Sequence, residues 1–159
     1  MNNQTYIKIL QDTLVKKNQI LDELLLLTVQ QEMILDNSIM DYEKFETCIS
    51  QKEVLINQLN QLDDGFEALY ERIRVELPEL NEDSKGLILD MQNFIKDIMM
   101  KSTKLQALEH KNKLKFDLFL TSQKREIRTM KMNNKTTTSY YGNMSGQNLN
   151  NSFFFDKKK

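Results

Sequence analysis

The sequence predicts an all-α fold, namely an antiparallel helical hairpin or extended three-helix bundle with long helices and a disordered C-terminal tail. Apolar residues recur at spacings of three and four along most of the chain, which is the period of an amphipathic helix. Turn-forming residues are scarce, with 4 Gly and 1 Pro among 159 residues. Because sheets and barrels need such residues at their many turns, the composition argues against α/β and all-β architectures.

The first helix is predicted over residues 5–35. Its apolar positions keep the three-and-four spacing, and Lys17 is the one polar interruption. The four consecutive leucines at 24–27 extend the apolar surface around more than one face, as expected for a helix that contacts two partners. The polar stretch at 36–38 suits a tight turn between antiparallel helices.

The second helix is predicted over residues 41–77, with Asp41 as its N-cap. Along residues 55–73 the apolar positions are separated by 4, 3, 4, 3 and 4 residues, which is a heptad seam. Gly65 lies within this seam without shifting its phase, so we expect the helix to continue through it. Pro78 is expected to end the helix.

The third helix is predicted over residues 84–128, and Lys101 interrupts its apolar stripe as Lys17 interrupts the first. Whether this helix breaks near Asn112 is left open by the pattern. Large apolar residues between positions 114 and 120 fall on three sides of the helix. Two explanations are open. These apolar residues are buried in the core, or part of the apolar surface they form is exposed and binds a helix of a partner protein.

Residues 1–128 are thus expected to form a helical bundle, and residues 129–159 a flexible tail. Thirteen of the 31 tail residues are Asn, Ser or Thr, and no helical stripe continues through them. Aromatic residues in such a tail resemble short docking motifs. The tail residues predicted to dock are Tyr140, Tyr141, Phe153, Phe154 and Phe155.

Charge is divided unevenly along the chain. Residues 1–123 hold 14 basic and 21 acidic side chains, whereas residues 124–159 hold 8 basic and 2 acidic ones. The acidic body argues against a nucleic-acid binder. The basic segment 124–135 could contact phosphate or anionic lipid, but a solubilising helix end is the favoured explanation.

The location expected from the sequence is the cytoplasm. The apolar runs are short and interrupted by charge, so no membrane insertion is expected. The N-terminus shows no basic region followed by an apolar one, which is the pattern of a secretory signal.

Candidate catalytic and metal-binding residues are few. The sequence has one cysteine, Cys48, and one histidine, His110, so an internal disulfide is excluded and a zinc site is not expected. No glycine-rich phosphate loop is present, because Gly65 and Gly86 are too far apart. The sequence therefore predicts no catalytic residue, no cofactor and no metal site, and an enzyme is not expected.

One stretch of the second helix suggests a family. Residues 64–72 read Asp-Gly-Phe-Glu-Ala-Leu-Tyr-Glu-Arg, and the same helix at 49–73 carries Lys52-Glu53 followed by Leu55-Ile56 and Leu59. This helix resembles that of FlgN-type flagellar export chaperones, in the form found in anaerobic Firmicutes. The tail runs at 138–144 and 155–159 are similar to those of clostridial members of the same family.

The resemblance implies a cytosolic chaperone of flagellar type III export. Such chaperones bind the C-terminal helices of hook–filament junction proteins, also called hook-associated proteins, and prevent their premature assembly. They then deliver these clients to the flagellar export apparatus. The family's client-binding region maps onto residues 105–127 of this chain. The client-binding residues expected there are Leu105, Leu108, Leu114, Phe116, Leu118 and Phe119.

A second function stays open beside the chaperone. The same apolar stripes would serve a coiled-coil structural or scaffold protein that associates with itself. A homodimer is compatible with either function.

Overall fold

Three long helices make up the described part of this protein, in agreement with the all-α prediction. The structure is a computed structural model that describes residues 3–74, residues 82–122 and Tyr140. The helices are α1 (Asn3–Asp36), α2 (Tyr42–Ile73) and α3 (Glu82–Ser122). No strand occurs within these ranges. The prediction of an all-α fold built from three long helices is confirmed.

Some predicted features lie outside the described residues. These are the end of the second helix with Pro78, the last turn and a half of the third helix from residue 123 onward, and all of the tail except Tyr140. Within the described ranges, α2 continues through Gly65 and α3 continues through Asn112. The question that the pattern left open at Asn112 is therefore answered by one uninterrupted helix.

Helices α1 and α2 run antiparallel. Lys17 of α1 forms an ion pair of 2.6 Å with Asp63 of α2. Further along α1 and nearer the start of α2, the Cys48 thiol donates a hydrogen bond of 3.2 Å to the Leu27 carbonyl oxygen. The lysine that interrupts the predicted stripe of α1 is thus buried and neutralised by a carboxylate of the neighbouring helix.

Helix α3 runs parallel to α1. Lys101 pairs with Asp22 at 2.7 Å, and Lys115 pairs with Asp36 at 2.6 Å. Both lysines follow their partners by the same number of residues, which is the signature of two parallel helices in register. The three helices therefore run up, down and up, as short connections between consecutive antiparallel helices require.

Core residues follow heptad lines on each helix. On α1 the buried positions alternate in steps of three and four, and they are Ile7, Leu10, Leu14, Lys17, Leu21, Leu24, Thr28 and Gln31. On α2 one buried line has steps of seven, and it comprises Phe45, Lys52, Leu59, Phe66 and Ile73. Such lines keep one face of each helix against its neighbours. Polar residues nevertheless occupy several of these core positions.

The closest backbone approaches are those of α1 with its two neighbours. Contacts between α2 and α3 include two pairs of aromatic side chains. The Phe45 and Phe116 rings stack with centroids 5.2 Å apart. Next to them, Tyr42 and Phe119 meet at 5.7 Å in a tilted arrangement. The two ring pairs join the start of α2 to the end of α3. Offset-stacked and tilted arrangements are the favourable geometries for aromatic pairs.

The cap predicted at the start of α2 is present. The Asp41 backbone is extended, and its carboxylate accepts a hydrogen bond of 3.1 Å from the Lys44 backbone N–H. This contact satisfies one of the amide groups that the first turn of a helix leaves without an internal partner.

Substituting Gly65 by alanine is expected to stabilise the protein by about 0.4–1 kcal/mol. Gly65 is exposed inside α2, and an added Cβ would meet no atom within 4 Å. Alanine would therefore restrict the unfolded chain without a clash in the folded one. Urea unfolding followed by circular dichroism measures the change, and Ala68→Gly, at an exposed position of the same helix, should shift stability in the opposite direction. A loss of stability in Gly65→Ala would contradict this interpretation.

Candidate functional site

Two of the six predicted client-binding residues are core residues. Leu105 and Phe116 are buried, and Phe116 stacks on Phe45. Leu108 is half-buried, and so is Phe119, which contacts Tyr42. Since burial already occupies the side chains of Leu105 and Phe116, a client could reach them only if the helices separated.

The other two predicted residues are exposed. Leu114 is 51% exposed and Leu118 is 71% exposed. They are four residues apart on α3, so they lie side by side on one face of the helix. Lys115, between them in sequence, pairs with Asp36 at the end of α1. The exposed leucine pair therefore lies at the end of the bundle where α1 ends.

A second apolar surface lies where α1 and α2 meet. An open groove of about 440 Å³ is lined there by Glu23, Leu26, Leu27, Gln51, Val54 and Leu55. Among the four consecutive leucines of α1, Leu24 faces the core, whereas Leu26 is exposed beside Val54. Helix α1 contacts both α2 and α3, as the run of leucines predicts, and Leu26 and Leu27 of the same run also line this open groove.

A cluster of polar side chains is buried between the three helices. Helix α1 contributes Thr28 and Gln31, α2 contributes Lys52, and α3 contributes Glu109 and Asn112. All five occupy core positions where apolar residues are the rule. Burying a charge is costly unless it is paired and hydrogen-bonded, so the contacts of Lys52 determine whether the cluster is tolerated.

Lys52 is neutralised inside the core by groups from both neighbouring helices. Its ammonium group donates one hydrogen bond to Glu109 Oε1 and a second one of 2.7 Å to Gln31 Oε1. Desolvation by burial lowers the pKa of Lys52, and the adjacent Glu109 carboxylate opposes that shift. The Lys52–Glu109 pair thus joins α2 to α3. The side-chain amide of Gln31 joins Lys52 to α1.

Thr28 and Asn112 close the cluster on the α1 side. The Asn112 amide donates a hydrogen bond of 3.0 Å to the Thr28 backbone carbonyl. The Thr28 hydroxyl lies 2.6 Å from the Leu24 carbonyl oxygen and 3.0 Å from Glu109 Oε1, and its single proton can be donated to only one of them at a time. Polar contacts therefore fix the register of α3 against α1.

Tyr140 completes the cluster from outside the three helices. Its side chain is fully buried, and its hydroxyl donates a hydrogen bond of 2.7 Å to Glu109 Oε1. The Lys52 ammonium lies 4.7 Å from the centroid of the Tyr140 ring, within the range of a cation–π contact. The structure therefore places one residue of the predicted tail motif against the bundle, while Tyr141 and residues 153–155 lie outside the described residues.

Sequence reasoning missed the cluster, although a signal for it exists. Lys52 is seven residues from both Phe45 and Leu59, so the heptad line of α2 passes through it. A stripe defined by hydrophobic residues alone passes over this lysine. A polar residue on the core line of a long helix is thus the pattern that would have indicated a buried cluster.

The single histidine and the single cysteine of the sequence lie on different helices. His110 is exposed on α3. Cys48 is buried, and burial raises the pKa of its thiol. Within residues 3–74 and 82–122, no group of three His, Cys, Asp or Glu side chains is placed to hold a metal ion.

None of the three described helices is both long and apolar enough to cross a lipid bilayer.

Comparisons with known proteins return nothing. No family model matches the chain, and no curated protein and no solved structure is significantly similar to it.

Proposed function

We propose that this protein is a non-enzymatic flagellar export chaperone. It binds the C-terminal helices of hook–filament junction proteins in the cytoplasm, prevents their premature assembly, and delivers them to the type III export apparatus. The class of client comes from the resemblance of the second helix. The observation that supports the proposal is the exposed pair Leu114 and Leu118, which lies in the region that the resemblance assigns to clients.

The exposed pair suits the apolar face of an amphipathic helix. Such a helix presents anchors every three or four residues, and two leucines four residues apart on α3 offer a matching ridge. Phe119 borders the ridge and is held by Tyr42. Leu105 and Phe116 contribute indirectly, because their burial holds this part of α3 against the other helices.

The groove between α1 and α2 favours a second candidate function. Leu26 and Val54 are exposed there, and a helix of another copy would cover them in a self-associating scaffold protein. Light scattering distinguishes the two functions. A chaperone without its client should be a monomer or small oligomer, whereas a scaffold protein should form a stable larger assembly on its own.

The substitution Leu118→Asp is expected to weaken client binding by about tenfold or more. A leucine side chain contributes about 1.5–3 kcal/mol when it is buried, and aspartate would add a charge to be desolvated. Titration calorimetry measures the affinity, with the full-length protein and a peptide of the C-terminal helix of a hook–filament junction protein from the same organism. Circular dichroism should show that the variant keeps its helices, because Leu118 is 71% exposed.

The matched control is Leu89→Asp. Leu89 is on the same helix and 58% exposed, but it lies near the opposite end, outside the client region. We expect Leu89→Asp to bind the peptide like the unmodified protein. Equal affinity of all three proteins would contradict the assignment of the client site to Leu114 and Leu118.

A further inference from the structure

Tyr140 reaches the core from a separate part of the chain. Residues 123–139, which are 17 in number, connect it to the end of α3 at Ser122. Its hydroxyl contacts Glu109, which lies about 20 Å back along the helix at 1.5 Å per residue. A connection of this length can span up to about 56 Å, so the contact demands no strain in the chain.

The polar cluster balances its charge without Tyr140. Lys52 has Glu109 and Gln31 as partners, and these three residues belong to α2, α3 and α1. Asn112 and Thr28 hold α3 and α1 in register. Removal of the phenol would therefore leave no unpaired charge, and Lys52 and Glu109, which contact it, belong to α2 and α3.

The contacts made to Tyr140 are specific for a phenol. The ring lies over the Lys52 ammonium, which favours an aromatic group, and the hydroxyl donates to Glu109 Oε1, which requires a donor at the para position. Phenylalanine would satisfy the first contact but not the second. The site thus combines one feature that selects aromatic rings with another that selects a hydroxyl.

We propose that the buried Lys52–Glu109 cluster is a binding site for the phenol side chain of a tyrosine, filled here by Tyr140 of the same chain. Occupancy of the site joins residue 140 to the three helices. Because Lys52 and Glu109 are held by the helices, a free phenol can take the place of the Tyr140 side chain in this site. This proposal is independent of the chaperone function and involves no client.

The experiment uses p-cresol, which has the structure of a tyrosine side chain, as the probe. In the full-length Tyr140→Ala variant we expect p-cresol to bind and to raise the Tm by about 3–5 °C at ten times its Kd. The unmodified protein, whose site is filled, should not respond at the same concentration. Toluene, which lacks the hydroxyl, should raise the Tm of the variant less than p-cresol does.

Tyr141→Ala is the matched control, because it removes the neighbouring tyrosine and leaves Tyr140 in place. It should behave like the unmodified protein. The absence of a p-cresol response in Tyr140→Ala, or an equal response in all three proteins, would overturn the proposal. An equal effect of toluene and p-cresol would overturn the role assigned to Glu109.

A second measurement uses the unmodified protein, so it tests the proposal even if Tyr140→Ala fails to fold. Tyrosine hydroxyl groups of the unmodified protein are acetylated with N-acetylimidazole, and the modified sites are identified by mass spectrometry. We expect Tyr140 to react at least about tenfold more slowly in the native protein than in urea, because its side chain is fully buried. Equal rates in the two states would overturn the proposal.

Discussion

Replacing Glu109 by alanine is expected to lower the free energy of unfolding by about 3–5 kcal/mol. The substitution leaves the ammonium group of Lys52 in the core without its counter-charge, and it also removes the acceptor of the Tyr140 hydroxyl. Urea unfolding followed by circular dichroism gives the change. It should exceed that of Lys111→Ala, because the Lys111 side chain is 57% exposed and ion pairs at the surface contribute about 0–1 kcal/mol.

The double variant Lys52→Met and Glu109→Leu distinguishes two contributions to the free energy of unfolding. One is the cost of leaving a buried charge unpaired, and the other is the net contribution of the ion pair. Replacing both partners by apolar residues of similar volume should recover most of the lost stability. A buried charge left alone is therefore the predicted cause of the large effect in Glu109→Ala. A loss under 1 kcal/mol in the single variant, or a double variant no more stable than the single one, would contradict this explanation.

Phe116→Ala is expected to cost about 3–5 kcal/mol, the usual range for a buried aromatic side chain. Phe116 fills the space between α2 and α3 and stacks on Phe45. Leu118→Ala, only two residues away but exposed, should change stability by at most about 0.5 kcal/mol. Thermal and urea unfolding of the two variants therefore test the division between core and surface at the end of α3.

A double-mutant cycle on Phe45 and Phe116 tests the ring contact itself. Coupling of about 0.5–1.5 kcal/mol beyond additivity is expected for a stacked pair. Similar stability losses in Phe116→Ala and Leu118→Ala would contradict the burial pattern of α3, and additive losses in the cycle would contradict the stacking.

The helices could be predicted because local patterns specify them. The three-and-four spacing of α1 and the capping carboxylate of Asp41 are readable from neighbouring residues, and both appear in the structure. The lysine at position 17 was recognised as an interruption, but its burial was not. Its partner Asp63 comes from another helix, and the spacing within one helix does not identify a partner so far along the chain.

Prediction of the candidate site requires the tertiary structure, whereas prediction of the helices does not. The sequence marked Leu114, Phe116 and Leu118 together, because their apolar character is alike. Only the direction of each side chain around α3 separates the buried ring of Phe116 from the two exposed leucines. That direction is fixed by how α3 packs on α1 and α2. The apolar pattern alone does not indicate which of the three apolar faces of α3 is buried.

The cluster around Lys52 was the least predictable feature. A lysine and a glutamate on separate helices give no local signal of pairing, and most such residues are solvated. Tyr140 was recognised as an aromatic residue suited to docking, but its target within the same chain requires the geometry of all three helices.

The most direct test of the chaperone proposal is affinity capture from the cytosol of the source cells, read by mass spectrometry. The full-length protein and the variants Leu118→Asp and Leu89→Asp serve as baits. We expect hook–filament junction proteins with the unmodified protein and with Leu89→Asp, and a strong loss with Leu118→Asp. Capture of further copies of this chain alone, without any flagellar protein, would contradict the proposal and favour the self-associating scaffold.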